Sequence, residues 1–397
     1  MFCVAIFAAA VAATLSQVDD VVLILRTGKA VINDRLGPLL EQESHLRHFR
    51  NLLLVNDAPS SRWPVYDAFD NMSFVKSARE RVLAQPTLFA DYLARTPPTK
   101  LSKRVFGSGN AEWHIDKYKF LVSFRRAFEM FPNATWFFMI DDDTYVSARN
   151  LASVLAKRHD PVNGIYAGNV MGCNCCDAGR TPRYKQMLFA HGGSGILLSR
   201  NALARMQPVM DACIYRWSEC WAGDIQVAAC LLGLEPPLKI EPLGGTHSEP
   251  PAHTLTKTHG RWCEETLTFH HLLTRQVLSL YQTEEAAWRN ETRFSLGLLV
   301  QPFFLAPMLA NHSIADTPEI VCVAGHTNQG DNLQVIANGP GKQVECEALC
   351  KQNGECVAFV KAPKSCILKR NLDAHLQPAA NNTFCLIKSR TQNRFHC

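Results

Sequence analysis

Short unbroken apolar runs alternate along this chain with stretches of helical period. Residues 21–25 (Val-Val-Leu-Ile-Leu) end at Arg26-Thr27-Gly28, which predicts a buried strand and a turn. Residues 51–55 repeat the pattern and close on Asn56-Asp57-Ala58-Pro59. A third run, 136–140 (Trp-Phe-Phe-Met-Ile), leads straight into Asp141-Asp142-Asp143. Between the runs, residues 34–42 predict a helix. Residues 116–131 predict a strongly amphipathic one, with Leu121, Phe124, Phe128 and Phe131 on one stripe and Pro132 as the stop. Further on come a helix at 150–158, a strand near 165–167 and Gly192-Gly193-Ser194-Gly195 before apolar 196–198. A helix starts from Ser199, and another at 225–232 is opened by Asp224 and stopped by Gly233. Residues 266–271 read as a strand and 272–282 as a helix. Strands alternating with helices predict an α/β domain with a mostly parallel sheet. Residues 60–112 carry turn signals and short polar helices only.

Length and composition narrow the class. A chain of 397 residues with 47% hydrophobic and 19% charged side chains buries a large core and divides into two or three domains. The formal charge of +5 is mild and dispersed, which argues against a nucleic-acid partner. There is no glycine period, long heptad array or second apolar run of spanning length, so collagen, coiled-coil and multi-span classes are excluded. Residues 1–16 are uncharged, and 2–13 form one apolar run, shorter than the roughly 20 residues of a membrane span. With Ala10-Val11-Ala12 as a small-residue cleavage site, 1–16 is expected to be a signal peptide. No Lys or Arg precedes the run, so an uncleaved anchor is the alternative. Fifteen cysteines and five sequons (Asn71, Asn133, Asn290, Asn311 and Asn381) fit a lumenal or secreted chain. Seven of the cysteines fall from Cys322 onward, after a composition shift near Thr317-Pro318. The expected division is an α/β domain over 20–310 and a disulfide-stapled module over 319–397.

Several residues stand out chemically. One aspartate after a strand is a turn or a helix cap, here helped by Thr144. Three carboxylates after five apolar residues repel one another and call for a counter-charge, which a hard divalent cation supplies through oxygen ligands. Open α/β sheets hold ligands beyond the carboxyl ends of their strands, where this triplet stands. His270 by itself reads as a satisfied histidine at a strand end, and Asp224 by itself as an N-cap. Gly192 and Gly193 lie in a turn that is either ordinary or shaped for close approach of a ligand. Trp221 either stacks on a ligand or packs in the core. Cys173, Cys175 and Cys176 read as disulfide partners rather than a metal cluster, and Cys213 and Cys220 flank a short segment that they would close.

Taken in order, these segments resemble the fringe-like, or core-1 β-1,3-galactosyltransferase-like, glycosyltransferases of family 31. The carrying pieces are Leu25-Arg-Thr-Gly28 with Asp34-Arg-Leu36, Trp113-x-x-Asp-Lys-Tyr-Lys-Phe120, the 136–146 segment around the triplet, Phe189-Ala-His-Gly-Gly-Ser-Gly-Ile196, Cys220-Trp-Ala-Gly-Asp-Ile225 and Thr268-Phe-His-His271. They cover roughly 20–285. The resemblance implies a GT-A, Rossmann-like sheet with helices on both faces. It also implies an inverting, metal-dependent transfer of a hexose or N-acetylhexosamine from a UDP-sugar to a glycan or glycoprotein acceptor, in β-1,3 linkage. By the same resemblance Asp143 and His270, with Asp141 close by, hold Mn²⁺ or Mg²⁺. Asp142, Thr27, Arg35, Lys119, Gly192, Gly193 and Trp221 lie on the donor side. Asp224 is the base that activates the acceptor, although Gly223 stands where the family usually carries a second acidic residue. From Cys322 the spacing resembles a PAN/Apple domain, a small α+β module that binds protein or carbohydrate. That likeness implies Cys322–Cys385, Cys346–Cys366 and Cys350–Cys356; spacing alone leaves the connectivity open. The implied compartment is the lumen of the secretory pathway or the exterior. The competing reading is a non-catalytic glycan- or protein-binding protein on a degenerate transferase fold. A metal-dependent hydrolase would need a second metal site or a water-activating base near the triplet, and the sequence offers no histidine-rich set for it.

Overall fold

The computed structural model describes residues 19–69, 116–173, 187–217, 220, 222–251, 253–254, 263–290, 292–300, 313–316, 320–328, 332–337, 343–353, 355–356, 358–363, 365–370 and 376–387. The expected signal peptide, Trp221, Cys175 and Cys176 lie outside them. The chain divides into two compact units, 1–248 with 267–285, and 249–266 with 286–397.

The first unit is built on a seven-stranded sheet. Its strands are β1 (Val21–Arg26), β2 (Asn51–Asn56), β3 (Tyr66–Asp67), β4 (Trp136–Asp141), β6 (Tyr166–Gly168), β9 (Ile196–Ser199) and β10 (Glu241–Pro242), in the order β10-β6-β9-β4-β1-β2-β3. Pairing is parallel for β1–β2, β2–β3, β1–β4 and β6–β10; β9 alone runs against its neighbours β4 and β6. Every residue of β1 is buried, and so are the first five of β4. Continuous apolar runs are what strands covered on both faces require. A small three-stranded sheet joins β5 (Tyr145–Val146), β11 (Thr246–His247) and β12 (Thr268–Phe269), and β7 (Val170–Cys173) pairs with β8 (Met187–Ala190).

The helices of this unit are α1 (Leu36–Glu41), α2 (Lys119–Met130), α3 (Ala148–Leu155), α4 (Arg200–Met206), α5 (Met210–Arg216), α6 (Gly223–Leu232) and α7 (Thr274–Arg289), the last running four residues into the second unit. In α2, Leu121 and Phe124 are buried with Val22, Ile24, Phe137 and Met139 of the sheet and with Ile225 and Val227 of α6. Ser147 caps α3 through the Asn150 N–H, and Ser199 caps α4 through the Ala202 N–H, at 3.2 and 3.3 Å. Asp224 is no cap. The cap position of α6 is Ala222, which offers no side-chain bond, and Asp224 lies in the first turn. The expected Cys213–Cys220 bridge does not form either: Cys213 of α5 is bonded to Cys230 of α6. The two helices pack side by side, which brings Cys213 and Cys230 to a Cα separation of 5.4 Å. Cys173, Cys220 and Cys263 are also disulfide-bonded.

In the second unit, six antiparallel strands run in the order β13-β14-β18-β16-β17-β15. They are β13 (Ser313–Asp316), β14 (Ile320–Asn328), β15 (Asn332–Ala337), β16 (Ala358–Ala362), β17 (Ser365–Lys369) and β18 (Leu376–Ile387). This unit also holds α8 (Leu296–Val300) and α9 (Gln343–Gln352). The sheet begins at Ser313, so a boundary at 319 would strip its edge strand. Cys322 and Cys385 face each other in register on β14 and β18 and are bonded. Cys346 and Cys350, one turn apart on α9, are bonded to Cys366 and Cys356. These six half-cystines, with Phe359 and Leu368, form a fully enclosed core. Covalent links replace much of the apolar burial that so small a unit lacks. Cys322→Ala with Cys385→Ala, opening a loop of 63 residues, is expected to destabilise this unit by about 4 kcal/mol. Urea unfolding followed by a probe within 313–387 checks it. Among the described residues no helix is long and apolar enough to cross a membrane.

Candidate active site

The site stands where β1 and β4 end side by side, with β2 on the far side of β1. This is the crevice in which open α/β sheets hold ligands, since the connections leave in opposite directions there. Arg26 and Asp141 are register partners across the pair. The Arg26 guanidinium is buried: it donates to Asp116 at 2.7 Å, pairs with Asp141, and lies over the Phe120 ring, 3.4 Å from its centroid. Burial pushes the Asp141 carboxyl up, and Arg26 only partly opposes it. Asp142 accepts from Thr27 Oγ1 at 2.5 Å and from Arg35 Nη1 at 3.1 Å; burial raises its carboxyl to about 6. Asp143 takes the same Arg35 nitrogen at 3.2 Å. Burial would raise its carboxyl, but the His270 imidazole and Arg35 outweigh it and hold it below the ordinary value.

His270 reaches the triplet from far along the chain. β12 pairs antiparallel with β5, so the residue after Phe269 comes back over Asp143, and the Leu272 N–H bonds the Asp143 carbonyl at 3.0 Å. His270 Nε2 lies 3.1 Å from Asp143 Oδ1 and 3.7 Å from Asp141 Oδ2. Burial lowers the imidazole pKa, but Asp143 and Asp141 outweigh it and the net shift is upward. The glycine turn carries the ring. A β-carbon on Gly193 would come within 2.2 Å of His270 Cε1. Gly193→Ala is therefore expected to push the imidazole off Asp143, weaken divalent-cation binding at least about tenfold and cost about 1–3 kcal/mol. Cation titration and thermal unfolding of the variant measure both.

The residues fit a divalent cation. Asp143, His270 and His271 each offer a ligand atom, and these lie within 4.8 Å of one another. Asp143 Oδ1 meets His270 Nε2 at 3.1 Å, and both side chains are largely buried. A carboxylate oxygen and an imidazole nitrogen brought this close, with a second carboxylate oxygen 3.7 Å from the same nitrogen, are disposed to share one ion.

The other carboxylate is Asp224. Its Oδ2 accepts the Gly192 N–H at 2.9 Å and its Oδ1 accepts the Ile225 N–H at 2.8 Å. Burial raises its pKa to about 6, and the two N–H bonds and Arg26 temper the rise. Gly192 and Gly193 are consecutive, so one turn touches Asp224 with its first residue and His270 with its second. Gly223 has a steric reason. A β-carbon there would sit 2.1 Å from Phe120 Cδ2 and 2.6 Å from the Lys117 carbonyl oxygen. The ring that shelves Arg26 thus excludes the second acidic residue from this position.

Of the expected donor-side residues, Thr27, Arg35 and Asp142 converge on the triplet. Lys119 is turned inward: its ammonium is buried, donating to the Thr27 carbonyl at 2.6 Å and pairing with Asp116 at 2.7 Å. Gly192 and Gly193 line up Asp224 and His270. Arg26, Asp116, Phe120 and His271 stand inside the segments that carry the resemblance, but sequence reasoning gave none of them a role of its own. The signal for Arg26 was available, a cation at the end of a buried strand just as the triplet ends another. For the others the motif marked the segment and not the residue.

A family match described as Fringe-like covers residues 74–282, just over half of the chain. The chain belongs to the Fringe-like family. The matched stretch contains the triplet, the glycine turn, Asp224 and His270. Among curated proteins, human chondroitin sulfate glucuronyltransferase is 40% identical over 79 residues, which are 20% of this chain and 9% of that protein. This Fringe-like chain therefore spans less than a tenth of the relative's length. Among solved structures, a glycosyltransferase involved in the glycosylation of the major capsid of PBCV-1 aligns with 65% of this chain and 99% of its own, at 13% identity and a TM-score of 0.30.

Proposed function

We propose that this Fringe-like chain is a glycosyltransferase that moves a hexose or N-acetylhexosamine from a UDP-sugar to a hydroxyl of a glycan or glycoprotein, with inversion and with a divalent cation, Mn²⁺ or Mg²⁺. The observation that carries the reading is the shared glycine turn, which sets a cation-competent Asp143–His270 pair beside a second buried carboxylate, Asp224, at the carboxyl ends of β1 and β4. What a cation supplies at such a site is neutralisation of the charge that grows on a departing diphosphate.

The chain's own groups divide the remaining work. Asp143 and His270, with Asp141 close by, form the cation side. Arg26 holds Asp141 against the pull of its neighbours. Thr27 and Arg35 fix Asp142 and Asp143, and Arg35 is half-exposed and offers positive charge to a donor phosphate. Asp224 takes the proton of the acceptor hydroxyl as that oxygen bonds the anomeric carbon and the bond to the diphosphate breaks. A base with a pKa near 6 is ionised at neutral pH yet basic enough to accept a proton in a transition state. The reading extends to the lumen of the secretory pathway as the place of action, which the bonded cysteines of both units support. It also takes the disulfide-rich unit as a PAN/Apple-like module that binds glycan or protein and raises the local concentration of acceptor.

The test is a panel of UDP-sugars incubated with the full chain and Mn²⁺, with release of UDP as the readout. Turnover of one donor, rising when an acceptor glycan is added, supports transfer. Binding of UDP and Mn²⁺ without turnover of any donor would leave the glycan-binding alternative.

A further inference from the structure

The geometry points to His271 as a third protein ligand of the cation site, making an Asp143–His270–His271 set that takes Mn²⁺, Co²⁺ or Zn²⁺ in preference to Mg²⁺. The inference rests on the metal-dependent reading above and adds to it a residue, and a class of cation, that the triplet motif does not supply.

Three observations carry it. The His271 ligand atom lies within 4.8 Å of those of Asp143 and His270. Its imidazole stands beside that of His270, ring centroids 3.8 Å apart. And His271 is the one non-glycine residue with positive φ among the described residues, at 60°. Side chains with a β-carbon enter the left-handed region at an energetic cost, and glycine or asparagine enters it more cheaply. The chain is pinned on both sides of this residue. His270 is packed over Gly193, and the Leu272 N–H is bonded to the Asp143 carbonyl, so residue 271 must turn sharply between them. A histidine held in that strained turn, beside a carboxylate oxygen and an imidazole nitrogen that lie 3.1 Å apart, is where backbone strain marks function. His270 is buried and His271 exposed, so the set has a closed floor and a solvent-facing edge. Three protein ligands on one ion would leave coordination capacity for oxygens of a nucleotide diphosphate. Two imidazoles among them favour the borderline transition metals, because Mg²⁺ keeps to oxygen ligands.

The experiment compares the wild type with His271→Asn and His271→Gly, all stripped of metal, by calorimetric titration with MnCl₂, CoCl₂ and MgCl₂ and by the visible absorption of the Co²⁺ form. Asn retains the left-handed preference while removing the imidazole. We expect His271→Asn to bind Co²⁺ and Mn²⁺ at least about tenfold more weakly, with a changed Co²⁺ spectrum and Mg²⁺ affinity altered much less. His271→Gly should melt higher than the wild type without metal and gain less on adding Co²⁺, because it relieves the turn and loses the ligand. Wild-type Co²⁺ affinity and spectrum in His271→Asn would overturn the assignment and leave the metal-dependent reading standing. A wild type that binds none of the three cations would overturn both.

Discussion

Asp143→Ala is expected to lower metal-dependent turnover of a UDP-sugar by about 10³-fold or more, the loss of cation-based charge stabilisation, while the protein stays folded. Asp143 is one of three adjacent carboxylates that share too few cations. After its removal Arg35 keeps Asp142 and His270 keeps Asp141 as neighbours, but the close Asp143–His270 contact is lost, so stability should fall by about 1–3 kcal/mol. Asp141→Ala is the instructive contrast. It leaves the buried Arg26 guanidinium with Asp116 alone, and breaking a buried pair by removing one partner costs about 3–5 kcal/mol. Two neighbouring aspartates should therefore separate cleanly. Asp143→Ala loses cation binding and activity with the smaller drop in melting temperature, and Asp141→Ala shows the larger one. Mn²⁺ titration, UDP release and thermal unfolding on both variants make the comparison. Full activity in Asp143→Ala would remove the metal-dependent reading.

Asp224→Asn is expected to lower transfer by roughly 10²–10⁴-fold, the usual worth of a positioned general base, with UDP and Mn²⁺ binding kept. The substitution is not structurally silent. Both carboxylate oxygens accept backbone N–H groups, and an amide would turn its NH₂ toward either Gly192 or Ile225, costing about 1–3 kcal/mol. Cation and UDP binding by the variant therefore serve as the proof of folding. The pH profile adds an independent readout. Activity that needs ionised Asp224 should fall on acidification with a midpoint near 6. Stability should run the other way. The folded pKa lies above the unfolded value of about 3.9, so this carboxyl carries no penalty below about pH 4. It costs increasingly as pH rises to about 6 and levels off beyond, by at most about 3 kcal/mol. Asn, neutral throughout, should abolish that slope. A near-wild-type rate in Asp224→Asn would dismiss Asp224 as the base and leave the cation site untouched.

The unequal legibility of these residues has physical causes. The apolar runs at 21–25, 51–55 and 136–140 appear as β1, β2 and β4 because a strand covered on both faces needs an unbroken apolar run, and that demand is local. The stripe in α2 was legible for the same reason, but Lys117 and Lys119, both buried, were not. Their ammonium groups are satisfied by the Cys220 carbonyl and by Thr27 with Asp116, partners that no helical period can announce. Asp224 looked like a helix cap, a reading that depends only on the residues beside it. Of its two backbone partners, one is the adjacent Ile225 N–H and the other, the Gly192 N–H, lies 32 residues away.

Chain-local chemistry was thus enough for the α/β class, for the three central strands, for the aspartate triplet at the end of one of them and for a cysteine-dense terminal unit. Each follows from burial, repulsion or crosslinking that neighbours in sequence already express. Tertiary structure alone decided the rest. The parallel register of β1 and β4 sets Arg26 against Asp141. The β5–β12 pairing returns His270 over Asp143. The packing of α5 on α6 joins Cys213 to Cys230 rather than Cys220, and the bulk of Phe120 leaves only glycine at 223. These outcomes depend on which distant segments meet and at what distance, and a buried charge or a packed ring takes its character from the partner it meets.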